Sequence, residues 1–178
     1  YLDPDKGFAE LRDPTAPRPI ADDKDAIKSF RGDFAFLAPD AKCKVSIPST
    51  FGPVALDDEV PAETLPYPSL EHAFQAVRSN DSEGVRACAT ARDAKRIGAK
   101  AFKKRSDQDA FREKAVDVME TLVRDRFARS DRDALVATAG RRLRHGNDYG
   151  DGYWGLKADG TGKNELGLAL ERLSLIHI

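Results

Sequence analysis

Only two cysteines, Cys43 and Cys88, stand in the 178 residues, too few for a disulfide framework or a four-thiolate metal site. The three histidines, at 72, 145 and 177, show no ligand spacing, and neither cysteine has a companion within four residues, so no metal is expected. Nucleophile elbows and Cys–His signatures are absent too, which leaves carboxylates and lysines as the acid–base material. No apolar run reaches the ~20 residues a membrane span needs, and the N-terminus lacks a basic-then-apolar signal pattern. The expectation is an intracellular protein, cytoplasmic or nuclear, with reduced thiols, no cofactor and no membrane partner. Charge of one sign is lacking as well. Twenty-nine basic residues face 30 acidic ones, for a net charge of −1. Coating nucleic acid by bulk charge is therefore excluded, while a local basic patch is not.

What is present amounts to one domain: 40% hydrophobic and 33% charged residues over a length that can bury a core without staples. Residues 1–26 read as a poorly ordered leader, punctuated by Pro4, Pro14, Pro17 and Pro19. Residues 27–173 form the domain. The apolar residues 174–178 are either the end of a docked helix or an appended tail. Phe34 and Phe36 alternate within residues 30–37, and Val45-Ser46-Ile47 repeats the alternation, which suits half-buried strands. Pro48, Pro53, Pro61, Pro66 and Pro68 mark a long loop, with Val54-Ala55-Leu56 a short strand inside it.

Helical patterning begins at Ser69. It is placed as an N-cap before the stripe Leu70, Ala73, Phe74 and Val77. Further helices are expected from Ser82 toward Ala89 and from Arg92 to Ile97, the latter closed by Gly98. The longest runs from about Asp107 to Ala128, with Phe111, Ala115, Val118, Met119, Leu122 and Val123 on one side. Another is capped by Ser130 and stops at Gly140. Residues 146–163 are glycine-rich loop, and 164–173 a final amphipathic helix. The fold class expected is α+β, a predominantly helical single domain with a small N-terminal antiparallel sheet.

Four constellations carry possible chemistry. Glu71, Gln75 and Arg78 fall at i, i+4 and i+7 and so share a helix face, either a solvated face or one wall of a polar-ligand site. The stretch from His145 to Gly155 holds the only tryptophan, Trp154, with Tyr149, Tyr153, Asp148, Asp151 and four glycines. Rings among glycines offer flat stacking surfaces for a base or sugar, or else plug a core. Asp159-Gly160-Thr161-Gly162-Lys163-Asn164 precedes a helix, as an anion site with Lys163 adding charge or as a plain turn capped by Asn164. It is no Walker A loop, since Asn164 occupies the Ser/Thr position. Basic residues also crowd positions 92–105, where Lys95 and Arg96 are the candidates for phosphate contact if this is not simply a solvated face.

Taken in order, these segments resemble the NADAR family. The resemblance rests on Phe-Arg-Gly-Asp-Phe-Ala-Phe-Leu (30–37), Tyr-Pro-Ser-Leu-Glu-His-Ala-Phe-Gln-Ala (67–76) and Ala-Arg-Asp-Ala-Lys-Arg-Ile-Gly (91–98). It continues in the Met119 helix, in Ala-Thr-Ala-Gly (137–140), and in Asp-Gly-Tyr-Trp-Gly (151–155) followed by Gly-Lys-Asn-Glu-Leu-Gly (162–167). Three departures accompany it. Ala38-Pro39-Asp40 stands where the family usually has Ser-Asn-Phe, Arg78 where a lysine is common, and the proline-rich loop is longer.

The resemblance implies an N-glycosidase, a hydrolase that removes ADP-ribose from modified guanine in DNA, RNA or nucleosides. Alternatives are an N-glycosidase of riboflavin-synthesis intermediates and a non-catalytic ADP-ribose-binding module. Breaking a C1″–N bond builds positive charge on the ribose, which a fixed carboxylate stabilises while an acid protonates the departing base. The motif-matched carboxylates are Glu71 and Asp151, expected to flank the scissile ribose. In a variant route Lys44 traps C1″ as an imine. Substrate contacts are expected from Gln75, Arg78, Lys95, Arg96, Tyr153, Trp154, Gly155, Lys163 and Asn164, with Trp154 stacking, Asn164 on ribose hydroxyls or phosphate, and Arg78, Lys95 and Lys163 on the diphosphate.

Overall fold

A computed structural model describes residues 23–47, 66–79, 81–102 and 104–176. Most of the leader, the proline-rich loop with its expected strand at 54–56, and positions 177–178 lie outside the described residues. The chain divides into two compact units, one of Pro39–Ser130 and one joining Tyr1–Ala38 to Asp131–Ile178.

In the unit Pro39–Ser130, helix α1 spans Leu70–Arg78, α2 Ser82–Ala87, α3 Ala91–Ala99 and α4 Arg105–Arg129. Ser69 caps α1 as its sequence position requires, its Oγ accepting from the His72 amide. Asp81 caps α2 through the Gly84 amide, and Thr90 caps α3 through the Asp93 amide. The apolar stripe of α1 is buried at Leu70, Ala73 and Phe74, and α1 packs chiefly on α3, then on α2 and α4. From α4 come Ala115, Val118, Met119, Leu122, Val123 and Phe127, all buried, at the spacing that places them on one side. The first turns of α4 are exposed, and Phe111 meets Phe74 edge-on at 5.6 Å between ring centroids.

Gly98 does not close α3. The helix continues to Ala99, and Gly98, its penultimate residue, sits buried against Gln75 of α1. Its missing side chain answers a packing need and not a terminating one.

In the second unit, α5 spans Arg132–Val136 and α6 Glu165–Ile176. The helix expected to reach Gly140 ends at Val136, after which turns carry the chain to Gly140 at φ +80°. Helix α6 runs through Ser174, whose buried hydroxyl donates to the Glu171 carbonyl, so residues 174–176 are the end of a docked helix.

The expected N-terminal antiparallel sheet is absent among the described residues, which are mainly helical with three isolated bridges: Ile27 with Leu143, Val45 with Tyr67, and Gly146 with Leu156. Residues Gly32–Leu37 form a 3-10 helix instead of a strand. Gly32 takes φ +58°, Phe34 N–H donates to Arg31 O, and Ala38 N–H donates to Ala35 O. At three residues per turn, Phe34 and Leu37 come to one face. Leu37 is buried, and the Arg141 guanidinium lies 5.2 Å from the Phe34 ring centroid. The two-residue alternation of Phe34 and Phe36 thus arises in a short helix. Ile27 ties this segment to the later chain, its N–H donating to Arg142 O and its carbonyl accepting from Arg144 N–H, while Phe30 stacks on His145.

Candidate active site

The face of α1 expected to carry Glu71, Gln75 and Arg78 exists. Gln75 is 2% exposed, and its Nε2 donates to Glu71 Oε1 at 2.8 Å. Glu71 is half-buried in the first turn, where the helix dipole favours negative charge, and its own amide donates to the Pro39 carbonyl. Arg78 closes the helix one turn beyond Gln75. It is half-buried, and its guanidinium lies 5.6 Å from the Phe102 ring centroid. Burial depresses its pKa, the Glu71 charge opposes that, and Arg112 adds to it; the direction is downward from a value so high that the cation persists.

The start of α1 is anchored through His72. Its Nε2–H donates to the Cys88 carbonyl at 3.3 Å, leaving Nδ1 to accept from the Ser69 hydroxyl at 2.7 Å. A carboxylate on an anchored turn, gripped by a buried amide and facing a partly desolvated cation, is suited to stabilising positive charge that develops opposite it.

The glycine-rich loop forms a second arrangement within the other unit. Asp151 Oδ1 accepts from the amides of Tyr153 and Trp154, both at 3.0 Å, and Oδ2 has no partner among the described residues. Buried Asn147 holds the turn from below, donating to the Asp151 and Leu156 carbonyls and accepting from the Asp151 amide. Trp154 and Tyr153 are half-buried and meet edge-on, and the Lys163 ammonium lies 5.3 Å from the Tyr153 ring centroid.

Where this loop enters α6, the backbone amides are occupied within the chain. The amides of four successive residues, Lys163, Asn164, Glu165 and Leu166, donate to the carbonyls of Gly152, Gly155, Tyr153 and Trp154. The amides of residues 163–166 are thus not donors to an anion, while the Lys163 ammonium is not engaged by these bonds. Asn164 precedes α6 at φ +55°, and its carboxamide bridges backbone, accepting from His145 N–H and donating to the Leu143 carbonyl. Gly155 is buried, and a Cβ on Gly162 would collide with the Gly155 carbonyl. The tip of the loop is also internally bonded. Thr161 donates its hydroxyl and its amide to Asp159, which holds that carboxyl below the usual Asp range.

Lys44, Lys95 and Arg96 are exposed in the unit Pro39–Ser130, and Arg96 pairs with Asp93 one turn back at 3.6 Å. Lys44 precedes Val45 in the extended segment that bridges to Tyr67. An open cleft of about 320 Å³ lies within the other unit, lined by Lys28, Arg31, Arg144 and Lys157 with Asp148 on its wall. Arg31 and Asp148 form an exposed ion pair across 3.1 Å. These cations come from three separate stretches of chain, so no local run betrays them. Phe102 and Arg112, which border the Glu71 cluster, likewise stand outside the motifs; Gly98 lies within the 91–98 motif, but as an expected helix stop and not as a neighbour of Gln75. No helix among the described residues is long and apolar enough to cross a membrane.

Fold and site together define a mostly helical protein whose candidate chemistry rests on carboxylate, amide and guanidinium groups. The NADAR domain model matches residues 36–174, and the chain belongs to the NADAR family, which is associated with N-glycosidase activity. The NMR structure of the E. coli protein YbiA shares the fold, with a TM-score of 0.61 and 24% identity over 92% of this chain and 90% of that one. No curated protein matches the chain.

Proposed function

We propose that the protein is an N-glycosidase that hydrolyses the C1″–N bond joining ADP-ribose to a guanine base, in a nucleoside or in nucleic acid. The observation that carries the reading is the half-buried Glu71 carboxylate, fixed by the buried Gln75 amide in a family associated with N-glycosidase chemistry. As the C1″–N bond breaks, its electron pair passes to the base nitrogen, which takes up a proton, and water adds to C1″. The sugar carbon becomes cationic on the way. A carboxylate that need not reorganise lowers the energy of that state by electrostatics.

Glu71 is assigned this role and Asp151 that of the second, motif-matched carboxylate, which keeps one oxygen beyond its two backbone bonds. Trp154 offers the base an indole face. Arg78, Lys95, Arg96 and Lys163 are the cations assigned to the diphosphate, and Gln75, Tyr153, Gly155 and Asn164 complete the set of residues taken from the motifs.

The test offers ADP-ribosylated guanosine to the wild type and to Glu71→Gln and Asp151→Asn, following released ADP-ribose. Each variant is expected to lose at least about a hundredfold in kcat, the scale of removing a charge-stabilising group. Turnover near wild type in both would refute the assignment. Borohydride added during turnover is expected to trap an adduct at Lys44 if the imine route operates; an unmodified Lys44 removes that route and leaves the carboxylate route in place.

A further inference from the structure

Gln75 presents two unlike ends. Its Nε2 grips Glu71, while its Oε1 is fully buried and has no hydrogen-bond partner among the described residues. A buried acceptor left in this state is costly, so something must hold the carboxamide in place. The holder is a gap in the neighbouring helix. Gly98, in the last turn of α3, lies directly under the Gln75 side chain. A Cβ built on Gly98 would overlap Oε1 and would stand 2.9 Å from Cδ and 3.1 Å from Cβ of Gln75. The conflict thus reaches along the side chain almost to its root, and a small rotation of the amide would not relieve it. The φ of Gly98 is not positive, so backbone conformation does not require glycine there. Room for Gln75 does.

We infer that Gly98 and Gln75 together form a positioning device for Glu71: the side-chain-free spot on α3 is the slot that seats the Gln75 carboxamide, and the seated amide fixes one carboxylate oxygen of Glu71. In this arrangement Gln75 acts behind Glu71 as a positioning residue. The inference rests on the reading of Glu71 as the catalytic carboxylate and adds the means by which its orientation is set. The substitution Gly98→Ala drives the amide from its slot and withdraws its hydrogen bond from Glu71 Oε1, without altering the carboxylate itself.

The experiment measures kcat and KM on ADP-ribosylated guanosine for Gly98→Ala, Gln75→Ala, the double variant and Gln75→Asn. A hydrogen bond to a charged group is lost, so kcat is expected to fall roughly tenfold to a hundredfold in Gly98→Ala with KM within about twofold. The three atoms nearest the methyl group added by Gly98→Ala all belong to Gln75, and two of them are absent in Gln75→Ala, so the double variant is expected to be within about threefold of Gln75→Ala alone. Gln75→Asn shortens the arm by one methylene and leaves the slot open, so it decides the matter should Gly98→Ala fail to fold; the same fall in kcat is expected. Wild-type kcat in Gly98→Ala or in Gln75→Asn, a loss confined to KM, or losses that multiply in the double variant would overturn the inference. Wild-type turnover in Glu71→Gln would instead overturn the reading beneath it. An inactive Glu71→Gln beside an unimpaired Gly98→Ala rejects the positioning device alone.

Discussion

A single hydroxyl shows how much of the site depends on one residue. Ser69 serves the α1 backbone and the His72 ring at once, accepting from the His72 amide and donating to Nδ1, while the far side of the ring reaches the Cys88 carbonyl. Removing that oxygen uncaps the helix and orphans a buried ring nitrogen together. Ser69→Ala is expected to cost about 2 kcal/mol in urea denaturation, the sum of a cap and a buried hydrogen bond, and Ser69→Thr much less. An unchanged midpoint in Ser69→Ala would show that the ring and cap are replaceable by water. The capping role was readable from Ser69 standing before an apolar stripe. The ring contact was not, because Cys88 lies 16 positions away and contributes only a carbonyl, which every residue type has.

At the scale of elements, helices were legible and extended segments were not. The face shared by Glu71, Gln75 and Arg78 follows from a rotation of about 100° per residue and needs no tertiary information. The 3-10 turn at Gly32–Leu37 defeats the same method, since Phe34 and Phe36 match a strand period while Gly32 bends the backbone locally. Glycines mislead similarly. Gly98 has the appearance of a helix stop, and Gly167, two residues into α6, of a weak helix, yet both mark places where another chain segment comes close. A Cβ on Gly167 would collide with the Leu143 carbonyl and the Asn164 carboxamide. Gly167→Ala is expected to lower stability by about 1–3 kcal/mol despite better helix propensity. A gain in thermal midpoint would mean that α6 can shift away at no cost.

For the whole molecule, the order of segments along the chain matters more than composition. The stretch matched by the family model begins at residue 36, yet Ile27 and Phe30 before it are buried within the unit that Asp131–Ile178 completes. Ile27 is bonded on both sides to residues 142 and 144, and Phe30 stacks on His145. A chain cut to residues 36–178 loses both side chains, each contributing about 1.5–3 kcal/mol by burial. Calorimetry is expected to find it less stable by roughly 3–6 kcal/mol, and an undiminished transition would place these residues outside the cooperative fold. Such closure between distant segments has no periodic signature. Residues 1–26 read as leader by their prolines and charge, and Ile27 carries no mark that its amide and carbonyl belong to the far end of the chain.

The glycine-rich loop before α6 looks, from its residues, like a cradle for phosphate, but the four successive amides of residues 163–166, where it enters α6, are already bonded to the chain's own carbonyls. A phosphoryl oxygen meeting the entry to α6 would therefore find the Lys163 ammonium and not those four amides. Attraction to a solvated ammonium is screened by dissolved ions, so a contact made by Lys163 would weaken as ionic strength rises.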